Sequence, residues 1–239
     1  MHWINWCATR LAAPLFIGIG LAACTDVQYR GIDKSQPEAA EPFGRTVQFQ
    51  VSRAFYDSPP RCAFILPLQG KAANSRAGKI IEEAAARQIS FRIERVIGPD
   101  RRNRLLRQLA IDPTTPKGRE RFARATNCDT AVEIMTEGLE TLFVVVWAQS
   151  RLHLTMRLVR AKDGEELWRA THAASRSEGT IPTSPMSVPL GLLSAGRFYN
   201  DQDVFPSMAD DVARRIVASL PDMRGAFQSK RTSRYRGMR

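Results

Sequence analysis

Between residues 62 and 135 the chain alternates short apolar runs with amphipathic segments, and this rhythm constrains the fold more than any other feature. Residues 63–66 form a continuous apolar run, which is typical of a strand buried on both faces. Residues 78–89 carry apolar side chains at i, i+4 spacing, which predicts a helix. Further strands are predicted over residues 91–96 and 130–135. The alternation favours parallel strands joined by helices.

The pattern changes in the second half of the chain. Apolar and polar residues alternate over residues 152–158, which predicts a strand with one buried face. Asp163-Gly164 is a tight-turn signal, and residues 166–173 follow as the partner strand. This half is therefore expected to continue the sheet as an antiparallel meander.

Helix boundaries are suggested by capping residues. Asp100 is placed to cap a basic helix that ends before Pro113, and residues 119–126 form another short helix. Ser207 and Asp210 fit a capping box that opens the last helix. We therefore expect an α/β fold in three layers, with a mixed sheet, a parallel first half, an antiparallel second half and a closing C-terminal helix.

An apolar run of thirteen residues, 11–23, lies near the N-terminus. A membrane-spanning helix needs about 20 apolar residues, whereas the core of a signal peptide needs about 7–15. The ending Leu21-Ala22-Ala23-Cys24 resembles a bacterial lipoprotein signal, which implies cleavage before Cys24, lipidation with palmitate and anchoring to a membrane. Thr25, in place of an aspartate, points to the periplasmic face of the outer membrane. An uncleaved anchor or a plain secretory signal is the alternative.

Four segments follow from this assignment. They are a lipoprotein signal peptide at 1–23, a flexible tether at 24–44, a single α/β domain at 45–222 and a basic disordered tail at 223–239. The formal charge of +11 becomes +10 when the signal leaves, because the signal contains one arginine and no acid. A basic surface favours anionic partners such as lipid headgroups. Export makes nucleic acid an unsuitable partner.

The chain has four cysteines. Cys7 leaves with the signal and Cys24 carries the lipid. Cys62 and Cys128 remain, each at the start of a predicted strand. If those strands are parallel neighbours, the Cα atoms come within the separation that a disulfide requires, and the periplasm permits the bond. The sequence thus predicts a Cys62–Cys128 disulfide, with two buried free thiols as the alternative.

Several segments together are similar to a known group of proteins. They are the strand Phe64-Ile65-Leu66-Pro67-Leu68, the helix over 78–89, the run Asn127-Cys128-Asp129-Thr130-Ala131-Val132, and the hairpin from Arg157 to Trp168 with Asp163-Gly164 at its turn. They resemble the periplasmic lipoproteins related to CsgG and LpoB over about residues 61–221. The resemblance implies a mixed α/β sheet without a catalytic centre. The sequence lacks obvious long amphipathic pore strands, which argues against a secretion channel.

Residues that could perform chemistry form no convincing set. A phosphate-binding loop fails because Ala73 stands where the first glycine is needed and Ile80 where a hydroxyl is needed. His153 and His172 lie on strands that could pair, but they have no further ligand at suitable spacing. We therefore expect no catalytic residue, no metal and no cofactor, and the chain is interpreted as a non-enzyme.

Two other features could make contacts. The apolar side chains of the loop over 176–200 could touch a membrane or a partner, or fold over the domain's own core; they are Leu190, Leu192, Leu193 and Phe198. The basic tail could lie on an anionic surface or stay solvated; its cations are Lys230, Arg231, Arg234 and Arg236.

Three functions compete at this stage. The first is a lipoprotein that binds an envelope protein partner during envelope assembly, with homo-oligomerisation left open. The second is an auxiliary lipoprotein subunit of an envelope transporter. The third is an envelope enzyme, which the missing catalytic residues disfavour.

Overall fold

The computed structural model of the protein describes residues 27–32, 46–144, 147–179 and 203–224. This part of the chain contains one sheet of eight strands and five helices. The strands are Gln28–Gly31 (β1), Thr46–Val51 (β2), Cys62–Ile65 (β3), Gln69–Gly70 (β4), Arg95–Ile97 (β5), Thr130–Val144 (β6), Trp147–Arg160 (β7) and Glu166–Gly179 (β8). The helices are Arg53–Asp57 (α1), Arg76–Ile89 (α2), Pro99–Leu109 (α3), Pro116–Thr126 (α4) and Val204–Ala218 (α5).

The strand order is β1-β2-β8-β7-β6-β3-β5, with β4 beside β6. β3 pairs in parallel with β5 on one side and with β6 on the other. β6, β7 and β8 form an antiparallel meander, β2 pairs antiparallel with β8, and β1 pairs parallel with β2. The predicted mixed sheet, parallel early and antiparallel late, is confirmed.

Helices cover both faces of the parallel strands. Along β3, Ala63 and Ile65 pack into one core with α2 and α5. Phe64 packs into a second core with α3 and α4, where its ring centroid lies 4.9 Å from that of Phe122. A strand buried on both faces needs a continuous apolar run, as the sequence has here. The three layers and the packing of the C-terminal helix on the sheet agree with the prediction.

The antiparallel strands bury one face more than the other. On β7, Leu154 and Met156 lie in the core beneath α5, whereas Thr155 and Arg157 lie on the opposite face. Gly164, at φ +75°, closes the turn to β8, as the Asp163-Gly164 signal predicts. The meander strands have 14 or 15 residues, longer than the sequence suggested, and residues 176–179 belong to β8 instead of the predicted loop.

Two helices begin at side-chain caps. The hydroxyl of Ser75 accepts a hydrogen bond of 3.0 Å from the amide of Gly78, so α2 starts at Arg76, two residues before the predicted boundary. Thr115 caps α4 in the same way through the amide of Gly118, at 3.1 Å.

Two predicted caps are wrong. Gly98 is the N-cap of α3, because Pro99 suits the first helical position, and Asp100 therefore lies in the first turn. α5 begins at Val204, three residues before Ser207, and the hydroxyl of Ser207 donates to the carbonyl of Val204 inside the first turn. Phe205 packs against the main core, which explains the earlier start.

Two further boundaries differ from the prediction. Residues 28–31 of the predicted tether form β1 and pair with residues 46–49, so a flexible tether is wrong for these four residues. The strand predicted over 91–96 starts only at Arg95, because the amides of Arg92 and Ile93 bond to the carbonyl of Ile89 and extend the end of α2.

Candidate functional site

An open cleft lies at the amino edge of the parallel strands, where β3, β5 and β6 begin. Its volume is about 940 Å³. It is lined by the start of β3, the start of β5, the end of α4 and the end of β7. Charged side chains of both signs surround it: Arg61, Glu94, Arg95, Glu120, Arg124, Asp129, Arg160 and Lys162. Five cations and three acids make the lining basic.

A disulfide lies in the wall of this cleft. Cys62 opens β3 and Cys128 follows α4, and the structure joins the two sulfurs, with the Cα atoms 5.2 Å apart. The parallel register, in which Ala63 pairs with Thr130, brings the two strand starts to the same height. Both cysteines are buried. The pairing predicted from the strand positions is present in the structure.

Arg95 connects the disulfide to the end of α4. Its Nε donates to Cys62 Sγ at 3.2 Å, and its Nη2 donates to the carbonyls of Thr126, at 3.2 Å, and Asn127. These carbonyls lie at the helix C-terminus, where the helix dipole favours a positive charge. Arg95 therefore acts as a side-chain cap for α4. Its role could not be read from the sequence, because an arginine at a strand start is ordinarily a surface residue.

The carboxyl edge of β3 is filled by a buried ion pair. Arg102 of α3 donates to Glu82 of α2 at 2.7 Å and to the carbonyl of Ile65 at 3.0 Å. The other Glu82 oxygen accepts from the amide of Leu68 at 2.8 Å. Arg102 is 3% exposed and Glu82 is 8% exposed. The pair ties both helical layers to the chain that leaves β3.

A second charged group lies on the face of the sheet opposite α5. Glu133 accepts from Arg119 of α4 and from Arg157 of β7, the latter at 2.9 Å. Arg157 also donates to Glu166 at 2.6 Å. The carboxylates are thus neutralised by arginines of neighbouring elements, and the network ties α4 to the antiparallel strands.

The two histidines do not form a joint site. His172 pairs with Leu154 across the ladder and His153 pairs with Ala173, so the imidazoles lie on opposite faces of the sheet. His172 is buried with Nδ1 3.0 Å from the carbonyl of Thr46. Burial is the main cause that lowers its pKa. In the described ranges, no three His, Cys, Asp or Glu side chains are arranged to hold a metal ion.

The acidic side chain of the hairpin turn also finds its hydrogen-bond partners within the turn. Asp163 accepts from the amide of Glu165 at 3.0 Å and from Arg160 at 3.2 Å. The amide of Glu165 is the largest cause that lowers the pKa of Asp163. These contacts hold the turn and leave no carboxylate pair of the kind that acid–base chemistry needs at this place.

The other predicted site residues lie outside the described part of the chain. These are Cys24, the loop residues Leu190, Leu192, Leu193 and Phe198, and the tail residues Lys230, Arg231, Arg234 and Arg236. None of the helices within the described residues is long and apolar enough to cross a bilayer.

No protein-family model and no curated protein matches the sequence. Solved structures of bacterial lipoproteins do resemble the fold. The PelC dodecamer from Paraburkholderia phytofirmans has a TM-score of 0.43 at 15% identity, covering 72% of this chain and 94% of that one. Lipoprotein GNA1162 from Neisseria meningitidis has a TM-score of 0.41 at 17% identity, covering 59% of this chain and 100% of that one. The LpoB C-terminal domain from Salmonella enterica has a TM-score of 0.32 at 17% identity, covering 48% of this chain and 82% of that one. The chain thus has a structural resemblance, at low identity, to the group that the sequence suggested.

Proposed function

We propose that the chain is a periplasmic lipoprotein, anchored in the outer membrane through Cys24, whose α/β domain binds an envelope protein and catalyses no reaction. The observation that carries the proposal is the Cys62–Cys128 disulfide. Structural disulfides form in oxidising compartments and are rare in the cytosol. An exported chain needs a signal, and the apolar run that ends at Cys24 supplies one.

The cysteine inventory supports this proposal. Cys7 lies inside the removable segment, Cys62 and Cys128 are joined, and Cys24 is the remaining cysteine. A lipid on Cys24 gives every cysteine of the mature chain a role. It also avoids an unpaired thiol in an oxidising compartment.

Three carboxylates of the described residues support a non-catalytic role. Glu82, Glu133 and Asp163 each have an arginine and, except for Glu133, a backbone amide as partners. These contacts join secondary-structure elements, and each is sufficient to explain why the group is there. Cleft residues of both signs suit a protein surface, whose own charges are mixed.

One surface of the described residues supports contact with further copies or with a partner. β1 is a sheet edge whose four residues are all exposed, and such edges readily pair with another strand. The loop residues around Leu190 and the tail around Arg234 remain predicted contacts for a membrane or partner. Sedimentation of the lipidated chain in detergent tests homo-oligomerisation.

Membrane fractionation tests the anchor. We expect Cys24→Ser to move the protein from the membrane pellet to the salt-washed supernatant and to abolish palmitate incorporation. Cys7→Ser is the matched control, because it changes a cysteine that leaves with the signal. Cys24→Ser protein that stays in the pellet after the salt wash contradicts the proposal.

Affinity capture from solubilised membranes tests the partner. Cell-wall or secretion components bound to the lipidated chain support the envelope-assembly role. An ATP-driven transporter captured in their place favours the auxiliary-subunit alternative. A hydrolytic activity that is lost on replacing a single histidine or aspartate contradicts the non-catalytic reading.

A further inference from the structure

The helical layer formed by α3 and α4 is strongly basic. α3 has four arginines and one aspartate, and α4 has four cations and one glutamate, for a joint formal charge of +6. The layer on the other face of the sheet, α2 and α5, has five cations and four acids, for a charge of +1. The excess positive charge of the described helices is thus concentrated on one side.

Most exposed cations of this layer lack acidic partners; the exception is Arg124, which pairs with Glu120 of the same helix at 3.6 Å. In the described part of the chain, no ion pair involves Arg101, Arg104, Arg107, Lys117 or Arg121, and all five are exposed. By contrast, Arg87 of α2 pairs with Asp210 at 2.8 Å and Arg215 pairs with Asp211 at 2.7 Å, both within the opposite layer. The charge of the α2–α5 layer is therefore nearly balanced within that layer, whereas the α3–α4 layer keeps five exposed cations without an ion pair among the described residues.

The cations are placed on the outer face of each helix. The spacing of Lys117, Arg121 and Arg124 is i, i+4, i+7, which aligns them along one side of α4, while Phe122 is buried on the other side. In α3, Arg101 and Arg104 are exposed at i, i+3, whereas Arg102 is buried. Both rows of cations are exposed, and we call them together the α3–α4 basic face.

We propose that the α3–α4 basic face lies on the anionic phospholipid headgroups of the membrane that anchors the chain. The proposal rests on the proposed lipid anchor at Cys24. Guanidinium groups match phosphate geometry with two parallel hydrogen bonds, and the face is rich in arginine. Leu109, at the end of α3, is also exposed and adds an apolar side chain to this layer.

The topology places the two attachments at separate parts of the sheet. β1 begins at Gln28, four residues after Cys24, so the lipid is at most about 14 Å from the sheet edge. α3 and α4 pack on one face of the parallel strands, and β3, the central parallel strand, is five strand steps from β1, or about 24 Å at the usual strand spacing. A lipid at the β1 edge and a basic face over the parallel strands hold the domain at two separated points, which strengthens attachment through high effective concentration.

Vesicle binding tests the face independently of the lipid. The full chain carrying Cys24→Ser is mixed with vesicles of phosphatidylcholine, alone or with phosphatidylglycerol. In this background we compare Arg104→Glu/Arg121→Glu with Arg76→Glu/Lys79→Glu, which reverses two exposed cations of α2 and gives the same net charge. Because the loss of two cations alone corresponds to roughly 30-fold, we expect the first pair, which also adds two acids, to lower partition into the anionic vesicles by at least roughly 30-fold and the control pair to lower it less than about 5-fold. The difference should vanish in high salt.

Equal losses in the two pairs, or a partition that is insensitive to salt, would overturn the proposal. Arg104→Gln/Arg121→Gln repeats the test if the reversed pair unfolds. A second measurement uses the lipidated chain in the same vesicles: phenylglyoxal modification of Arg104 and Arg121, read by mass spectrometry, should be slower with phosphatidylglycerol than without it. If the chain carries lipid but Arg104 and Arg121 are not protected, the basic-face proposal is contradicted and the lipid anchor is not. If the chain carries no lipid, the anchor proposal is contradicted, and the vesicle binding of the Cys24→Ser chain still decides whether the basic face binds anionic lipid.

Discussion

The carboxyl and amino ends of the parallel strands lie at two different edges of the sheet, and the side chains at these two edges differ. At the carboxyl edge, Glu82 and Arg102 are buried and bond to each other and to the backbone after β3. At the amino edge, the Cys62–Cys128 disulfide lies beside an open cleft of about 940 Å³. Ligands of open α/β sheets ordinarily bind at the carboxyl edge. Here the chain's own side chains, Glu82 and Arg102, fill that position.

The largest expected effect comes from breaking the carboxyl edge. Arg102→Ala leaves Glu82 buried without its cation, and loss of one partner of a buried pair lowers the free energy of unfolding by about 3–5 kcal/mol. Urea unfolding measures the change. Arg87→Ala is the control, because the Arg87 side chain is 55% exposed and its pair with Asp210 contributes about 1 kcal/mol or less.

A double variant sharpens that result. Replacing Glu82 and Arg102 together with methionine removes both charges, so we expect a smaller loss of unfolding free energy than in Arg102→Ala, although the amide of Leu68 and the carbonyl of Ile65 lose their side-chain partners. If Arg102→Ala lowers the unfolding free energy no more than Arg87→Ala does, the buried ion pair does not stabilise the carboxyl edge as proposed.

The next effect comes from opening the amino edge. Cys62→Ala/Cys128→Ala removes a cross-link that closes 66 residues, and we expect a loss of about 2–4 kcal/mol in unfolding free energy. Reductant should bring the parent protein to about the same stability and leave the double variant unchanged. A parent protein that is indifferent to reductant in denaturant contradicts a disulfide at this edge.

A smaller effect is expected from Arg95, which joins the disulfide to α4. Arg95→Gln removes the charge at the helix C-terminus and its bonds to Thr126 and Asn127, and should cost about 1 kcal/mol. Arg121→Gln is the control, because Arg121 is exposed and should change stability by less than about 0.5 kcal/mol. Equal effects in the two variants would show that Arg95 does not support this edge.

The two edges also show what the sequence can predict. The apolar run of β3 and the alternation of β7 reveal buried faces directly, so the mixed sheet and the level of the two cysteines could be predicted. Glu82 and Arg102 could not, because a charged residue on an amphipathic helix carries no mark of its tertiary partner. β1 was missed for a related reason: its four residues are all exposed, so no periodic burial distinguishes a sheet edge from a tether.

His172 is buried where β8 meets β2, far from the two edges of the parallel strands. We expect its replacement to change the unfolding free energy least. Burial lowers its pKa in the folded protein below the ordinary value of 6.5. As pH falls through about 6.5, the unfolded chain takes up a proton that the folded protein resists, so unfolding free energy falls until the folded pKa is passed. His172→Gln, a neutral side chain that retains a donor for Thr46, should therefore flatten the stability profile between about pH 7 and 5. His153→Gln, on the opposite face, controls for loss of an imidazole. Parallel profiles for the parent and His172→Gln would show that this buried histidine does not couple folding to protonation.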